Sequence, residues 1–159
     1  MSADFCHIEA VDAENLDAAA AVHAESWRAS HAGICAPDFL AAHTARRQRD
    51  YLETKQKAGS RIFLLWAEEP AGIVSVAGSC IEDLYVLPAY QRRGYGTALL
   101  RHAVSVCRGT PVLWILETNR NAMRFYERRG FRPTGKRNAA HGPLAELEYS
   151  YEISGGETV

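Results

Sequence analysis

Leu84-Tyr85-Val86-Leu87-Pro88-Ala89-Tyr90-Gln91-Arg92-Arg93-Gly94-Tyr95-Gly96-Thr97-Ala98-Leu99-Leu100 is the stretch whose reading decides the fold. It leaves a strand, Ile81 to Leu87, which Pro88 stops. It then opens a helix from about Tyr95 to Cys107, with an apolar stripe of Leu99, Leu100, Ala103, Val104 and Cys107. A helix start presents unbonded N–H groups and a partial positive charge. Glycines let the backbone approach an anion closely, and Arg92 and Arg93 add charge beside it. The ligand this suits is a pyrophosphate or a similar polyanion. A bare Gly-x-Gly is also what any tight strand–helix turn uses. A dinucleotide fingerprint would need a third glycine near position 99, where Leu99 stands, and a place on the first strand of a parallel series.

Upstream, Phe5 to Glu9 reads as a first strand, and Asp12 as the N-cap of a helix that carries Leu16, Ala20, His23 and Trp27 on one face. Gly33 and Pro37 punctuate the segment after that helix, and a charged helix covers Ala42 to Lys57. Arg61 to Ala67 and Ile73 to Val76 read as hairpin partners. Downstream, Pro111 to Leu116 is an apolar strand. A helix starts at Asn119 or Asn121 and ends at Gly130, and Phe131 to Thr134 and Ala145 to Ile153 close as two more strands. The strand–helix–strand unit from Ile81 to Leu116 is expected to be parallel and the rest antiparallel, giving an α/β or α+β domain with a mixed sheet.

The bulk composition narrows the function. The chain has 159 residues, 47% of them hydrophobic, enough for one domain with a real core. A formal net charge of −1 gives no basic field for nucleic acid. Cys6, Cys35, Cys80 and Cys107 form no CxxC pair, which argues against a zinc site or a disulfide framework and fits a reducing cytoplasm. The early apolar run, Ala18 to Val22, is too short for a signal peptide or a membrane span.

A second motif lies in Glu117-Thr118-Asn119-Arg120-Asn121-Ala122-Met123-Arg124-Phe125-Tyr126-Glu127-Arg128-Arg129-Gly130-Phe131. Gln91 to Gly96 resembles the Q/R-x-x-G-x-G/A signature of GCN5-related N-acetyltransferases. Asn119, Ala122, Tyr126 and Gly130-Phe131 resemble that family's N-x-x-A-x-x-x-Y-E-x-x-G-F segment. The resemblance covers roughly residues 60 to 153. Val22 to Trp27 and Gly33-Ile34 resemble a bacterial small-molecule branch.

The resemblance implies a mixed, mostly antiparallel sheet with a parallel, splayed strand pair and about four flanking helices. It implies one acyl-CoA N-acyltransferase domain over residues 1–153, with a flexible tail at 154–159. Acetyl-CoA is the implied cosubstrate, with no metal. Backbone groups of Leu84, Tyr85 and Val86 are implied to meet the pantetheine and the acetyl carbonyl. N–H groups from Gln91 through Arg92, Arg93, Gly94, Tyr95, Gly96 and Thr97 are implied to hold the pyrophosphate. Asn119 is implied to bond the pantetheine, and Tyr126, near the sulfur, to protonate the leaving thiolate.

Bland readings stand beside these. Tyr126 is a packing residue, Asn119 a helix cap, the arginines of 120–129 a solvated face, and His23 a hydrogen-bonded core or pocket residue. Many family members carry an acid just before the Ile/Leu of the central strand. Cys80 holds that place here, so Glu82, on the same strand face, is either a displaced general base or a surface carboxylate. Trp27 and His31 are expected to shape the acceptor pocket, with core packing as the alternative for Trp27. The expected reaction is acetyl transfer to a primary amine of a small molecule or peptide by direct attack in a ternary complex. The alternative is a catalytically silent acyl-CoA-binding or sensing module. No nucleic-acid or membrane partner is expected, and the chain is expected to be a monomer or a homodimer.

Overall fold

The computed structural model describes residues 6–141 and 144–152. Phe5 and Ile153, expected at strand ends, and the expected tail at 154–159 lie outside the described residues. Seven strands hydrogen-bond in the order β1-β2-β3-β4-β5-β7-β6, numbered along the chain. The chain divides into two compact units, one up to Ala77 together with Ile81–Val106, the other Gly78–Cys80 with everything from Cys107 onward.

The first unit contains β1 (His7–Ala10), α1 (Leu16–His31), α2 (Pro37–Ala41), α3 (Ala45–Lys57), β2 (Arg61–Trp66), β3 (Pro70–Ala77), most of β4 (Cys80–Val86) and α4 (Tyr95–Val106). β1 and β3 flank β2 antiparallel, with Ile8 opposite Leu65 and Phe63 opposite Val74. Strand alternation explains why β2 is apolar throughout. Ile62 and Leu64 join Ile73, Leu16, Ala20 and Leu52 in a core beneath α1 and α3. Phe63 points the other way and meets the His102 ring of α4 edge-on at 4.4 Å.

Several boundaries differ from expectation: α3 starts at Ala45 rather than Ala42, β3 spans Pro70–Ala77 rather than Ile73 to Val76, and β6 runs on to His141 rather than Thr134. The α1 N-cap is Asn15, because the Asp12 carboxylate is spent in a turn, accepting from the N–H groups of Glu14 at 2.9 Å and Asn15 at 3.3 Å. α1 runs on past Trp27, the last residue of its expected apolar face, to His31. Pro37, expected only as punctuation, sits in the first turn of the short helix α2, where its missing N–H costs nothing.

The second unit contains β5 (Val112–Leu116), α5 (Arg120–Glu127), β6 (Phe131–His141) and β7 (Leu144–Tyr151). β7 pairs antiparallel with both β5 and β6. Cys80 pairs in parallel with Val112, the expected parallel step. Gly130 adopts φ 94°, which lets the chain leave α5 and enter β6. Five α-helices are present among the described residues, one more than the resemblance implies, the addition being α2.

Candidate active site

The turn before α4 is built by backbone conformation. Arg92 (φ 65°) and Gly94 (φ 87°) are both left-handed. Left-handed residues spaced in this way are a feature of backbone concavities that bind anions. The first turn of α4, at Tyr95 and Gly96, adds N–H groups that have no carbonyl within the helix to bond. Gln91 ties the turn to the strand, its amide donating to the Val86 carbonyl at 3.0 Å. The Arg93 guanidinium lies 5.4 Å over the Tyr90 ring. Residues 91–94 are exposed, and a Cβ built on Gly94 would meet nothing within 4 Å. These features fit an incoming pyrophosphate: open backbone donors, two arginines and a helix start.

β4 carries the second part of the site. Asp83 is left-handed (φ 51°) in mid-strand, a conformation that breaks the extended backbone and is uncommon outside glycine, Asp and Asn being the residues that adopt it most readily. On a regular strand Glu82 and Asp83 would face opposite sides. Here both reach one ammonium: Lys55 Nζ donates to Glu82 Oε1 at 2.9 Å and to Asp83 Oδ2 at 2.6 Å. Tyr51 donates to the same carboxylate at 3.1 Å, and Ser75 Oγ lies 3.0 Å from it. Ser75 also accepts from Lys55 at 3.2 Å.

His23, 2% exposed, completes the cluster. With the Gln48 amide donating to its Nδ1 at 2.8 Å, the ring proton sits on Nε2, which lies 3.5 Å from Asp83 Oδ1. That contact lacks hydrogen-bond geometry, so its attraction is chiefly electrostatic. Burial alone would raise the Asp83 carboxyl, but the His23 contact and the Lys55 ammonium outweigh it and hold the group well below its ordinary value. Burial would likewise lower Lys55. Asp83 and the Glu82 bond outweigh that and keep the ammonium charged above its usual range. Burial, reinforced by the Asp83 charge, pushes the Tyr51 phenol up to about 12.

Glu82 was legible as a candidate, but its partner was not. Lys55, Tyr51 and Gln48 read as part of a charged helix. The signal that could have found them is their spacing at i, i+3 and i+7 on the same side as buried Leu52.

Trp27 and His31 do come together, in a way the sequence did not foretell. The Trp27 indole stacks on His31 (centroids 4.0 Å, 14°) and on His43 (3.5 Å, 10°). Two rings so near one centroid occupy opposite faces, so both faces of the indole are covered. Two large apolar side chains are exposed in the segment after α1, Ile34, 73% exposed, which the sequence singled out only in the branch resemblance, and Phe39, 51% exposed, which it did not single out. Phe39 packs tilted against Trp27 at 5.9 Å.

In the second unit, Asn119 Oδ1 caps α5, accepting from Ala122 N at 3.1 Å. Tyr126 packs edge-on to Phe125 (5.1 Å) and Phe131 (5.8 Å). Burial pushes its phenol up to about 12, so it stays protonated through the neutral range. Among the described residues, no group of three or more His, Cys, Asp or Glu side chains is placed to hold a metal. No helix among them is long and apolar enough to cross a membrane.

Comparison with known proteins bears on the family and the fold. The sequence is 30% identical over 69 residues to a peptidyl-lysine N-acetyltransferase of Salmonella typhimurium, covering 43% of this chain and 47% of the relative. It is 33% identical over 112 residues to a streptothricin acetyltransferase of Streptomyces lavendulae, covering 62% and 59%. The matches thus span about half to three-fifths of these relatives' lengths. The fold matches the PaiA N-acetyltransferase of Thermoplasma acidophilum in complex with coenzyme A. That match has a TM-score of 0.71 at 19% identity, covering 92% of this chain and 99% of that one. The profile of the Acetyltransferase (GNAT) family matches residues 32–131, which take in α2 to α5 and the turn at Arg92–Gly94, and the chain belongs to that family.

Proposed function

We propose that the chain is an acetyl-CoA-dependent N-acetyltransferase that acetylates a primary amine of a small molecule or a peptide within a ternary complex. The observation that carries this is the pair of left-handed residues, Arg92 and Gly94, opening α4 beside exposed arginines. In the reaction, the neutral amine nitrogen bonds to the thioester carbonyl carbon, the C–S bond breaks, and the amine proton leaves. The products are the N-acetyl amine and free CoA thiol. N–H groups of residues 91–97 hold the pyrophosphate. Backbone groups of Leu84, Tyr85 and Val86 hold the pantetheine and polarise the carbonyl. Tyr126 donates the proton to the departing thiolate, a role that a phenol protonated at neutral pH can fill. Asn119 combines its cap with a contact to the pantetheine. Glu82, 40% exposed at its side chain, accepts the amine proton directly or through water. Ile34 and Phe39, with the edges of the Trp27–His31 stack, contact the acceptor.

One observation favours a second reading, a silent acyl-CoA-binding module: the Glu82 carboxylate already pairs with Lys55. One experiment separates the two. The protein is incubated with acetyl-CoA and an amine panel while free thiol is followed. The named relatives support including streptothricin and a lysine peptide. Amine-dependent thiol release supports catalysis. Saturable acetyl-CoA binding with no thiol release from any amine supports the silent module.

A further inference from the structure

The cluster around Asp83 joins four elements, α1 through His23, α3 through Tyr51 and Lys55, β3 through Ser75, and β4. Two features set it apart from ordinary core packing. A left-handed aspartate in mid-strand carries backbone strain and persists only where its surroundings over-determine it. A partly buried ion cluster is a poor source of net stability, since well-packed apolar groups in its place often do as well or better. The arrangement therefore stores strain at one point of β4 and surrounds that point with donors. Immediately after it come Leu84, Tyr85 and Val86, whose backbone direction is set by the Asp83 dihedral. Gly72 of the neighbouring strand β3 lies so close that a Cβ there would stand 3.2 Å from the Tyr85 carbonyl oxygen.

We propose that Lys55 is a positioning residue for the transfer reaction: by binding Asp83 and Glu82 together, it locks the left-handed turn of β4 and so aims the backbone of Leu84–Val86 at the acyl-pantetheine arm. This rests on the cofactor reading above. Lys55 touches neither cofactor nor acceptor in this role and acts through Asp83. Ser75 and Tyr51 support the same carboxylate, and His23, with its tautomer set by Gln48, closes the remaining side.

The test uses the full chain, isotopically labelled, with acetyl-CoA as the probe and backbone amide resonances as the readout. Three proteins are compared: the natural one, the double variant Lys55→Met/Asp83→Asn, and Lys55→Gln. The double variant leaves no unpaired buried charge from this pair, and asparagine tolerates the left-handed region as well as aspartate, so the lock is removed without added strain. Lys55→Gln removes the charge that joins Asp83 to Glu82 while keeping one donor, and decides the question if the double variant does not fold. In the natural protein, acetyl-CoA is expected to shift Gly94, Gly96 and the amides of Leu84, Tyr85 and Val86. In the variants the Gly94 and Gly96 responses persist, while most of the Leu84–Val86 response is lost. An undiminished Leu84–Val86 response in a folded variant overturns the inference. Silence of Gly94 and Gly96 in the natural protein has a different signature: it overturns the cofactor reading, and the inference with it.

Discussion

Tyr126 shows how much chemistry one hydroxyl is asked to supply. Its phenol is held up to about 12 by burial, so it is a donor and not a base at neutral pH. Tyr126→Phe keeps the packing against Phe125 and Phe131 and removes only that donor. Turnover is expected to fall by roughly 10²–10⁴ while acetyl-CoA affinity holds, read by steady-state kinetics beside calorimetric binding. Equal turnover, with chemistry rate-limiting, removes Tyr126 from the mechanism. Because burial holds the phenol up, its ionisation contributes no loss of activity through the neutral and mildly alkaline range. Asp83 makes the opposite prediction for stability. Its carboxyl is harder to protonate in the folded chain than in the unfolded one. Above the ordinary aspartate value of 3.8 its contribution is fully present, and it is lost as the pH falls below that value. Each pK unit of depression corresponds to about 1.4 kcal/mol. Urea unfolding at pH 6 and near pH 3 is expected to show a steeper acid loss in the natural protein than in Lys55→Met/Asp83→Asn. Parallel losses in the two proteins remove Asp83 as a source of the acid sensitivity.

At the scale of elements, β3 and α4 meet at Gly72. A Cβ there would lie 2.7 Å from Leu99 Cδ1 and 3.2 Å from the Tyr85 carbonyl oxygen. The leucine can rotate away, but the backbone oxygen moves only with β4. Gly72→Ala is therefore expected to destabilise by about 1–3 kcal/mol, as overpacking does, and to weaken acetyl-CoA binding by disturbing the strand behind the turn. Denaturant midpoints and binding isotherms read both effects, and a variant of unchanged stability shows that the contact relaxes freely. The loop region after α1 carries a second expectation. Both faces of Trp27 are covered by imidazoles, and the proposed acceptor contact therefore falls to Phe39 and Ile34, which are exposed. Phe39→Ala and Ile34→Ser are expected to raise the KM for whichever amine the panel identifies several-fold, with acetyl-CoA KM held. An unmoved amine KM in both variants places the acceptor elsewhere.

Across the whole molecule, the sequence was legible where local pattern and glycine coincide. The helix at Tyr95, the strands on either side of it, and Gly130 after α5 come from periodicity and turn chemistry that local sequence carries. The cluster at Asp83 was illegible for a physical reason. Its members are separated by as many as 60 residues, from His23 to Asp83, and strand alternation argues against Glu82 and Asp83 sharing a partner. Only the left-handed backbone at Asp83, which tertiary contacts impose, brings them together. The same holds for Trp27, whose stacking on His43 depends on where α2 returns the chain. Asn119 was legible as a cap or a ligand contact, and the cap is what its own bond to Ala122 fulfils.

The central claim is that the turn from Gln91 to Thr97 holds the pyrophosphate of acetyl-CoA. Its most direct test is the dissociation constant of acetyl-CoA for the natural protein and for Gly96→Glu, measured by titration calorimetry. Gly96 stands in the first turn of α4, where an acidic side chain suits the helix itself, so the variant is expected to fold. The added carboxylate faces the phosphates with bulk and like charge. Affinity is predicted to fall on the order of a hundredfold, about 2.7 kcal/mol. A folded Gly96→Glu protein that binds acetyl-CoA as tightly as the natural one contradicts the claim.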